Sequence, residues 1–296
     1  MSVNLSTGLS YDRSTSAMQS LTARLDTLNE QVATGKTLLK PSDDSAGWQR
    51  LQAINRANAN GVQDEANVKI AQAVLSQADS TLGQIGDRLQ RAAELVTQGK
   101  TGTNSTTARD AIATELEGIL ESIVNLANAK DARGTALFGG RDDAAAVSRD
   151  AGGALTFAEG KASAIPIGDG QSVEATVNAA TFLGSDDGDI GSALTAIIAA
   201  LRAGEEIPGG ASDAVTTVSD QVIAAQASIG ARAVRVDIQA AQIGTAEDDR
   251  EIVRAGIEDA DPTETIVELQ KTMTILQATQ ASFSQLARLS LFDYLR

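Results

Sequence analysis

Apolar residues recur along this chain at alternating intervals of three and four, the spacing that lines one side of an α-helix. Met18, Leu21, Leu25, Leu28 and Val32 form one narrow stripe of this kind. A longer run from Val68 through Leu75, Leu82 and Leu89 to Val96 keeps the alternation without a miss, which predicts a coiled-coil seam whose side chains enter holes on a facing helix. After a Gly- and Ser-containing turn at 102–105, Ile112, Leu116, Ile119, Ile123 and Leu126 predict a third helix, which should fold back antiparallel on the second. Another seam runs from Val215 through Val222 and Val236 to Ile243, with two successive four-residue steps around Ile229. Such a stutter locally unwinds a supercoil. The last stripe carries Ile266, Leu269, Met273, Leu276, Phe283 and Leu286, and begins near Asp261 and Pro262, where Asp can cap a helix and Pro suits its first turn.

Between these arms the pattern changes period. Glycines become dense from Gly139 to about Gly191, and runs at 154–157, 164–167 and 173–177 read as strands, with Gly168-Asp169-Gly170 as a turn between two of them. A short helix is expected over 190–202, followed by a bridge through Pro208-Gly209-Gly210. The fold class is therefore mainly α with a small β-rich insert, a long antiparallel coiled-coil bundle made by N- and C-terminal arms. Its parts are expected at 1–40, 41–138, 139–210, 211–260 and 261–296. Neither terminal stripe can bury itself alone, so the two ends should lie side by side. Isolated helices of that kind are marginal in water, and neighbouring subunits are one way to complete them.

Composition narrows the chemistry. The 296 residues contain no cysteine and no histidine, so thiolate and imidazole zinc sites, Cys nucleophiles and Ser-His-Asp catalysis are excluded. Absent cysteine also removes any disulfide argument about compartment. Among 39 Asp and Glu, chance carboxylate pairs are common and none marks an active site. We expect no enzyme and no cofactor. A net charge of −15 without a cluster of Lys and Arg argues against nucleic-acid binding. No apolar run approaches the ~20 residues needed to span a bilayer, and the opening residues lack the pattern of a cleavable signal peptide. The acidic run at 184–191 has alternating oxygen ligands but lacks the closing Glu of an EF-hand, so a solvated turn is the expected reading there.

Three stretches carry more information: Pro41-Ser42-Asp43-Asp44-Ser45-Ala46-Gly47, Leu137-Phe138-Gly139-Gly140, and the tail Ser290-Leu291-Phe292-Asp293-Tyr294-Leu295. Thr34-Gly35-Lys36 and Ile257-Glu258-Asp259-Ala260-Asp261-Pro262 join them. Together they resemble the flagellin superfamily of bacterial flagella over the two arms, about two thirds of the chain. Within it, the Pro before Ser42-Asp43-Asp44, the segment 126–140 and the tail resemble the subunits at the junction of hook and filament. Ala46-Gly47 is closer to filament flagellins, and Ala136 stands where the junction type has an aromatic.

The resemblance implies a structural component of the flagellum that joins a hook-associated protein to the filament, with flagellin, the main filament subunit, as the alternative. A cytoplasmic coiled-coil signalling adaptor is a more distant alternative that would share the heptads but lack the insert and the motifs. The implied partners are further copies of the chain in a homo-oligomer, the first hook-associated protein, flagellin and an export chaperone. Nucleic acid and membrane insertion are not expected. Export through the flagellar type III apparatus without a cleaved signal would make the chain extracellular, whereas composition alone would read it as cytoplasmic. The expected assembly residues are Leu21, Leu25, Leu28 and Val32 on the first helix, Asp43 and Asp44 in the turn, and Leu269, Met273, Leu276, Phe283 and Leu286 on the last. Phe138, Gly139 and Gly140 form the expected hinge, with glycines permitting positive φ and Phe138 anchoring the reversal in the helical core. Asp43 and Asp44 also have a local reading, as caps of the helix starting near Ser45. Trp48, the one tryptophan, reads as a helix anchor.

Overall fold

The computed structural model describes residues 2–294 apart from Thr103, 141–144, Ala162 and 186–187, with side-chain surroundings given for residue 9 and for 11–285 within those limits. The chain forms α1 (Ser2–Thr34), α2 (Ser45–Gly99), α3 (Thr106–Ala127), β1 (Val147–Arg149), β2 (Leu155–Phe157), β3 (Ala164–Gly168), β4 (Gln171–Glu174), α4 (Ala180–Leu183), β5 (Gly184–Ser185), β6 (Gly188–Asp189), α5 (Ile190–Ala203), α6 (Gly209–Glu258) and α7 (Pro262–Tyr294). It divides into a terminal module, residues 1–59 with 246–296, and a central module, residues 60–245.

In the central module the predicted seam on α2 is buried as read, with Leu75, Leu82, Ile85 and Leu89 essentially inaccessible. The seam on α6 meets it, Val215, Val218, Val222, Ile229 and Val236 being buried in the same core. The two helices run antiparallel: Lys100 Nζ donates to Ser212 Oγ at 2.8 Å and Gln72 Nε2 to Asp237 Oδ1 at 2.8 Å. α3 returns along α2, tied by Arg91 Nε to Glu115 Oε1 at 2.8 Å near one end and by Gln77 Nε2 to the carbonyl of Lys130 at 2.8 Å near the other. Ser105 caps α3 by accepting from Ala108 N, satisfying one of the free N–H groups of its first turn. Burying a Leu or Ile stabilises by about 1.5–3 kcal/mol, so this continuous core holds the module together.

The insert consists of three separate antiparallel ribbons, β1–β2, β3–β4 and β5–β6. Two-stranded ribbons are marginal in water, and these are docked onto helices. Asn128 Nδ2 donates to the Val147 carbonyl at 2.8 Å and its Oδ1 accepts from Val147 N at 3.0 Å. Arg232 Nη1 donates to the carbonyls of Glu174 at 2.6 Å and Thr176 at 2.9 Å. Three expected strands are found with shifted ends: 173–177 becomes β4, Gln171–Glu174, so its last three residues are not strand. β1, β5 and β6 add strands of two or three residues that the alternation did not reveal. The short helix predicted over 190–202 is α5, amphipathic and packed on α3.

Candidate assembly interface

In the terminal module α1 and α7 pair. Arg24 Nη2 meets Glu268 Oε1 at 2.7 Å, and the rings of Tyr11 and Phe283 stand 5.0 Å apart, tilted by 50°. Numbers fall along α7 as they rise along α1, so the pair is antiparallel, as the side-by-side reading of the two ends required. Leu28 is buried, and Met18, Leu21 and Leu25 are half-buried beside it. Val32 leaves the stripe and is exposed, while Gln31 takes the covered position and donates from Nε2 to the Thr37 carbonyl at 3.2 Å.

The stripe read on α7 divides. Leu269, Leu276 and Phe283 are half-buried, but the fully covered positions on this side are Thr265 and Thr272, which keep the three-four spacing with Leu269 and Leu276. Ile266 and Met273, one position further round the helix, face out, as do Val267 and Ile275. Thr265 reconciles its hydroxyl with burial by donating to the Asp261 carbonyl at 2.7 Å. Leu286 lies outside the residues whose side chains are described.

The turn between α1 and α2 is fastened to the end of α6. Gly35, at φ +70°, leaves the helix in the left-handed region, where a glycine carries no Cβ penalty. Its carbonyl accepts from Ala260 N at 2.8 Å, and Thr37 N donates to the Glu258 carbonyl at 2.7 Å. Glu258 is buried and its carboxylate is gripped by Lys36 Nζ and, at 2.8 Å, by Arg254 Nη1. Burial alone would push this carboxyl up. The two cations outweigh it and hold the carboxyl below the usual range, because opposite charges at contact favour the ionised form.

The two aspartates of the motif separate in role. Asp44 Oδ1 accepts from Ala46 N at 2.9 Å and so serves α2. Asp43 turns back: its Oδ2 accepts from Lys40 N at 2.9 Å and Leu39 N at 3.2 Å, closing the preceding turn instead of capping the helix. Gly47 is buried against Asp44 and Ile257, and an added Cβ would lie 2.5 Å from Asp44 Oδ2. Trp48 is half-buried.

At the far end of α3, Asp131 organises the approach to Leu137-Phe138-Gly139-Gly140. Its Oδ1 accepts from Arg133 N at 2.9 Å and Thr135 N at 3.0 Å, and its Oδ2 from Arg133 Nε at 3.0 Å. Burial pushes this carboxyl up, but the Arg133 guanidinium and the two backbone donors bring it down below its ordinary value. Phe138 is fully buried, edge-on to Phe182 with centroids 5.1 Å apart, and its carbonyl accepts from Ala179 N at 3.0 Å. Gly140 has φ +78°, and a Cβ there would meet the Gly160 carbonyl oxygen at 3.0 Å. Gly139 is buried without a positive φ, so one glycine of the expected two needs the left-handed region. In the acidic run, Asp189 is committed to capping α5, accepting from Gly191 N at 2.8 Å and Ser192 N at 3.0 Å. Asp186 and Asp187 lie outside the described residues.

No helix among the described residues is long and apolar enough to cross a membrane. The arrangement thus offers packing surfaces, charge clasps and turns. Sequence reasoning missed the clasp on Glu258, although Lys36 and Glu258 both fell within motifs it had singled out.

Comparison with known proteins agrees with this architecture. Residues 5–143 match the bacterial flagellin N-terminal helical region and residues 212–295 the bacterial flagellin C-terminal helical region. Flagellar hook-associated protein 3 of Salmonella typhimurium is 31% identical over 152 residues, 51% of this chain and 48% of that protein. Flagellin 1 of Proteus mirabilis is 30% identical over 115 residues, 38% of this chain and 30% of that protein. The chain thus spans about half the length of the first of these relatives and less of the second. A solved Vibrio parahaemolyticus structure of the flagellar hook-associated class shares the fold, with a TM-score of 0.68 at 23% identity over 73% of this chain and 100% of that one. With both helical arms matched, the chain belongs to the bacterial flagellin family.

Proposed function

We propose that this chain is a structural subunit of the bacterial flagellum at the junction of hook and filament, contacting the first hook-associated protein on one side and flagellin on the other. The observation that carries the reading is the incomplete α1–α7 pair. Among the described residues of these two helices Leu28 is the one buried apolar side chain, while Ile266, Val267, Met273 and Ile275 face out from α7. A helix pair with an unfinished seam and an apolar outer face gains stability when further helices cover it. Like subunits repeated in a layer would do so.

In this account residues 1–40 and 261–296 are the assembly core, and Leu21, Leu25, Leu28, Val32, Leu269, Met273, Leu276, Phe283 and Leu286 are its contact residues. Residues 41–138 and 211–260 are the two halves of the helical domain, Asp43 and Asp44 in the turn are further contact residues between subunits, and Phe138-Gly139-Gly140 is the hinge to the insert at 139–210. The subunit leaves through the flagellar export apparatus with a chaperone, becomes part of the extracellular flagellum, and acts mechanically, without catalysis. The junction reading leans on the Salmonella hook-associated relative, which aligns over more of the chain than the flagellin does.

Flagellin itself is the second reading, favoured by Ala46-Gly47 and by the match to the Proteus flagellin. The two differ in stoichiometry. Quantitative mass spectrometry of flagella sheared to different lengths should find a fixed amount of this chain per flagellum; an amount rising in proportion to filament length would replace the junction reading with the filament one.

A further inference from the structure

At the tip of the β3–β4 ribbon stands Asp169, among the described residues the one other than glycine with a positive φ. Gly168, Asp169 and Gly170 have φ of +96°, +51° and +70°, and Gly168 pairs with Gln171, so Asp169 and Gly170 alone make the turn. Positive φ at both central residues matches the twist of a two-stranded ribbon, and Asp followed by Gly suits it. Both residues are exposed. Both also lack partners: among the described residues the Asp169 carboxylate accepts no hydrogen bond and meets no cation, and Gly170 N donates to nothing. A side-chain carboxyl and the next amide nitrogen are one bond short of a five-membered ring. Glycine in the second position leaves that nitrogen without a side chain in the way.

We infer that Asp169 is a site of spontaneous conversion to isoaspartate, selected by the fold. The Gly170 amide nitrogen attacks Asp169 Cγ once the carboxyl is protonated, the amide proton and the carboxyl hydroxyl leave as water, and a cyclic imide results. Water then adds to one of its two carbonyls. Breaking the new N–Cγ bond restores aspartate. Breaking the original bond between Gly170 N and the Asp169 carbonyl carbon leaves isoaspartate, with the main chain running through Cβ and Cγ. Nothing else is consumed and the mass is unchanged. Sequence alone would name Asn60-Gly61 first, because an amide carbon is a better electrophile than an ionised carboxylate. That pair lies inside α2, where the backbone is fixed and Gly61 N is engaged in the helical hydrogen-bond ladder, so the turn reacts and the helix does not. The other Asp-Gly pair, at 187–188, has its Asp outside the described residues. The extra main-chain atom goes outward, since Gly168 already lies against α2: a Cβ there would be 3.1 Å from Asp64 Cγ. Ile167 and Val173 are buried and Arg232 holds the carbonyls of Glu174 and Thr176, which confines the change to the tip. The site belongs to the insert and is independent of which flagellar role the subunit has.

The test compares the purified full-length chain held at neutral pH without and with urea. A protease that cleaves before aspartate and not before isoaspartate, with chromatographic separation of the equal-mass isomers, reads position 169. In the folded chain, cleavage before residue 169 should be lost progressively while Asn60 keeps its amide; in urea, Asn60 should react ahead of Asp169. An unchanged residue 169 in the folded chain, over a time in which the urea sample loses cleavage there, overturns the inference. Asp169→Asn gives the chain a second Asn-Gly pair of the same chemistry, and Asn tolerates the left-handed turn as Asp does. Deamidation, seen as the mass gained when an amide becomes a carboxyl, should run faster at position 169 than at Asn60 in the folded variant and at matching rates in urea. Equal rates in the folded variant would mean that the fold does not select the turn, and would overturn the inference as well.

Discussion

Glu258 is the residue on which the α1–α2 turn depends most. It is buried at the end of α6, between Lys36 on the turn and Arg254 one helical turn back. Its carboxyl is held below its ordinary value of 4.5, so the ionised form is favoured in the folded chain. The stabilisation is therefore present in full above the ordinary carboxylate pKa and is lost as pH falls through the lowered folded one. Glu258→Gln should cost about 1.5 kcal/mol at neutral pH, the scale of one charge-assisted hydrogen bond. The gap in unfolding free energy between parent and variant, measured by denaturation at several pH values, should close in acid; a gap independent of pH would mean the clasp contributes only shape. Phe138 makes a second test, because its ring fills the core beside Phe182. Phe138→Ala should destabilise the central module by about 3–5 kcal/mol, read as a lowered denaturation midpoint, with the terminal module unaffected. At this scale the sequence was partly legible. It identified Phe138 and the motif aspartates, but Asp43 and Asp44 are the same residue type and only the course of the turn decides that one points forward and the other back.

At the scale of elements, long helices were legible because their seams repeat over many turns. The period reveals α2, α3, α6 and the onset of α7, and the Asp261 cap is where the pattern put it, accepting from Thr263 N at 2.8 Å. What the period could not fix was rotation. On α7 the residues at 265 and 272 compete with those at 266 and 273 for the covered side, and Ile266 and Met273 are the more apolar choice. The structure covers the two threonines instead. A threonine can satisfy its hydroxyl along its own helix, and the apolar residues are thereby released to the outside. This makes the α1–α7 pair weak alone. Leu276→Ser with Phe283→Ser should abolish incorporation into flagella while circular dichroism and proteolysis find the central module still folded. Incorporation at the parent level would contradict the role given to these helices.

At the scale of the whole molecule, the chain combines a core of fully buried aliphatic seams with terminal helices that are only half-covered. Composition excludes thiol and imidazole chemistry, and the motifs foretold the family. Which partner a subunit meets is carried by surfaces, and exposed residues obey no period strong enough to read. The central claim is positional: this chain occupies the boundary between hook and filament. Gold-labelled antibody against it on intact cells is the most direct measurement. The account predicts label confined to a narrow band where the hook meets the filament, and label distributed along the whole filament would contradict it.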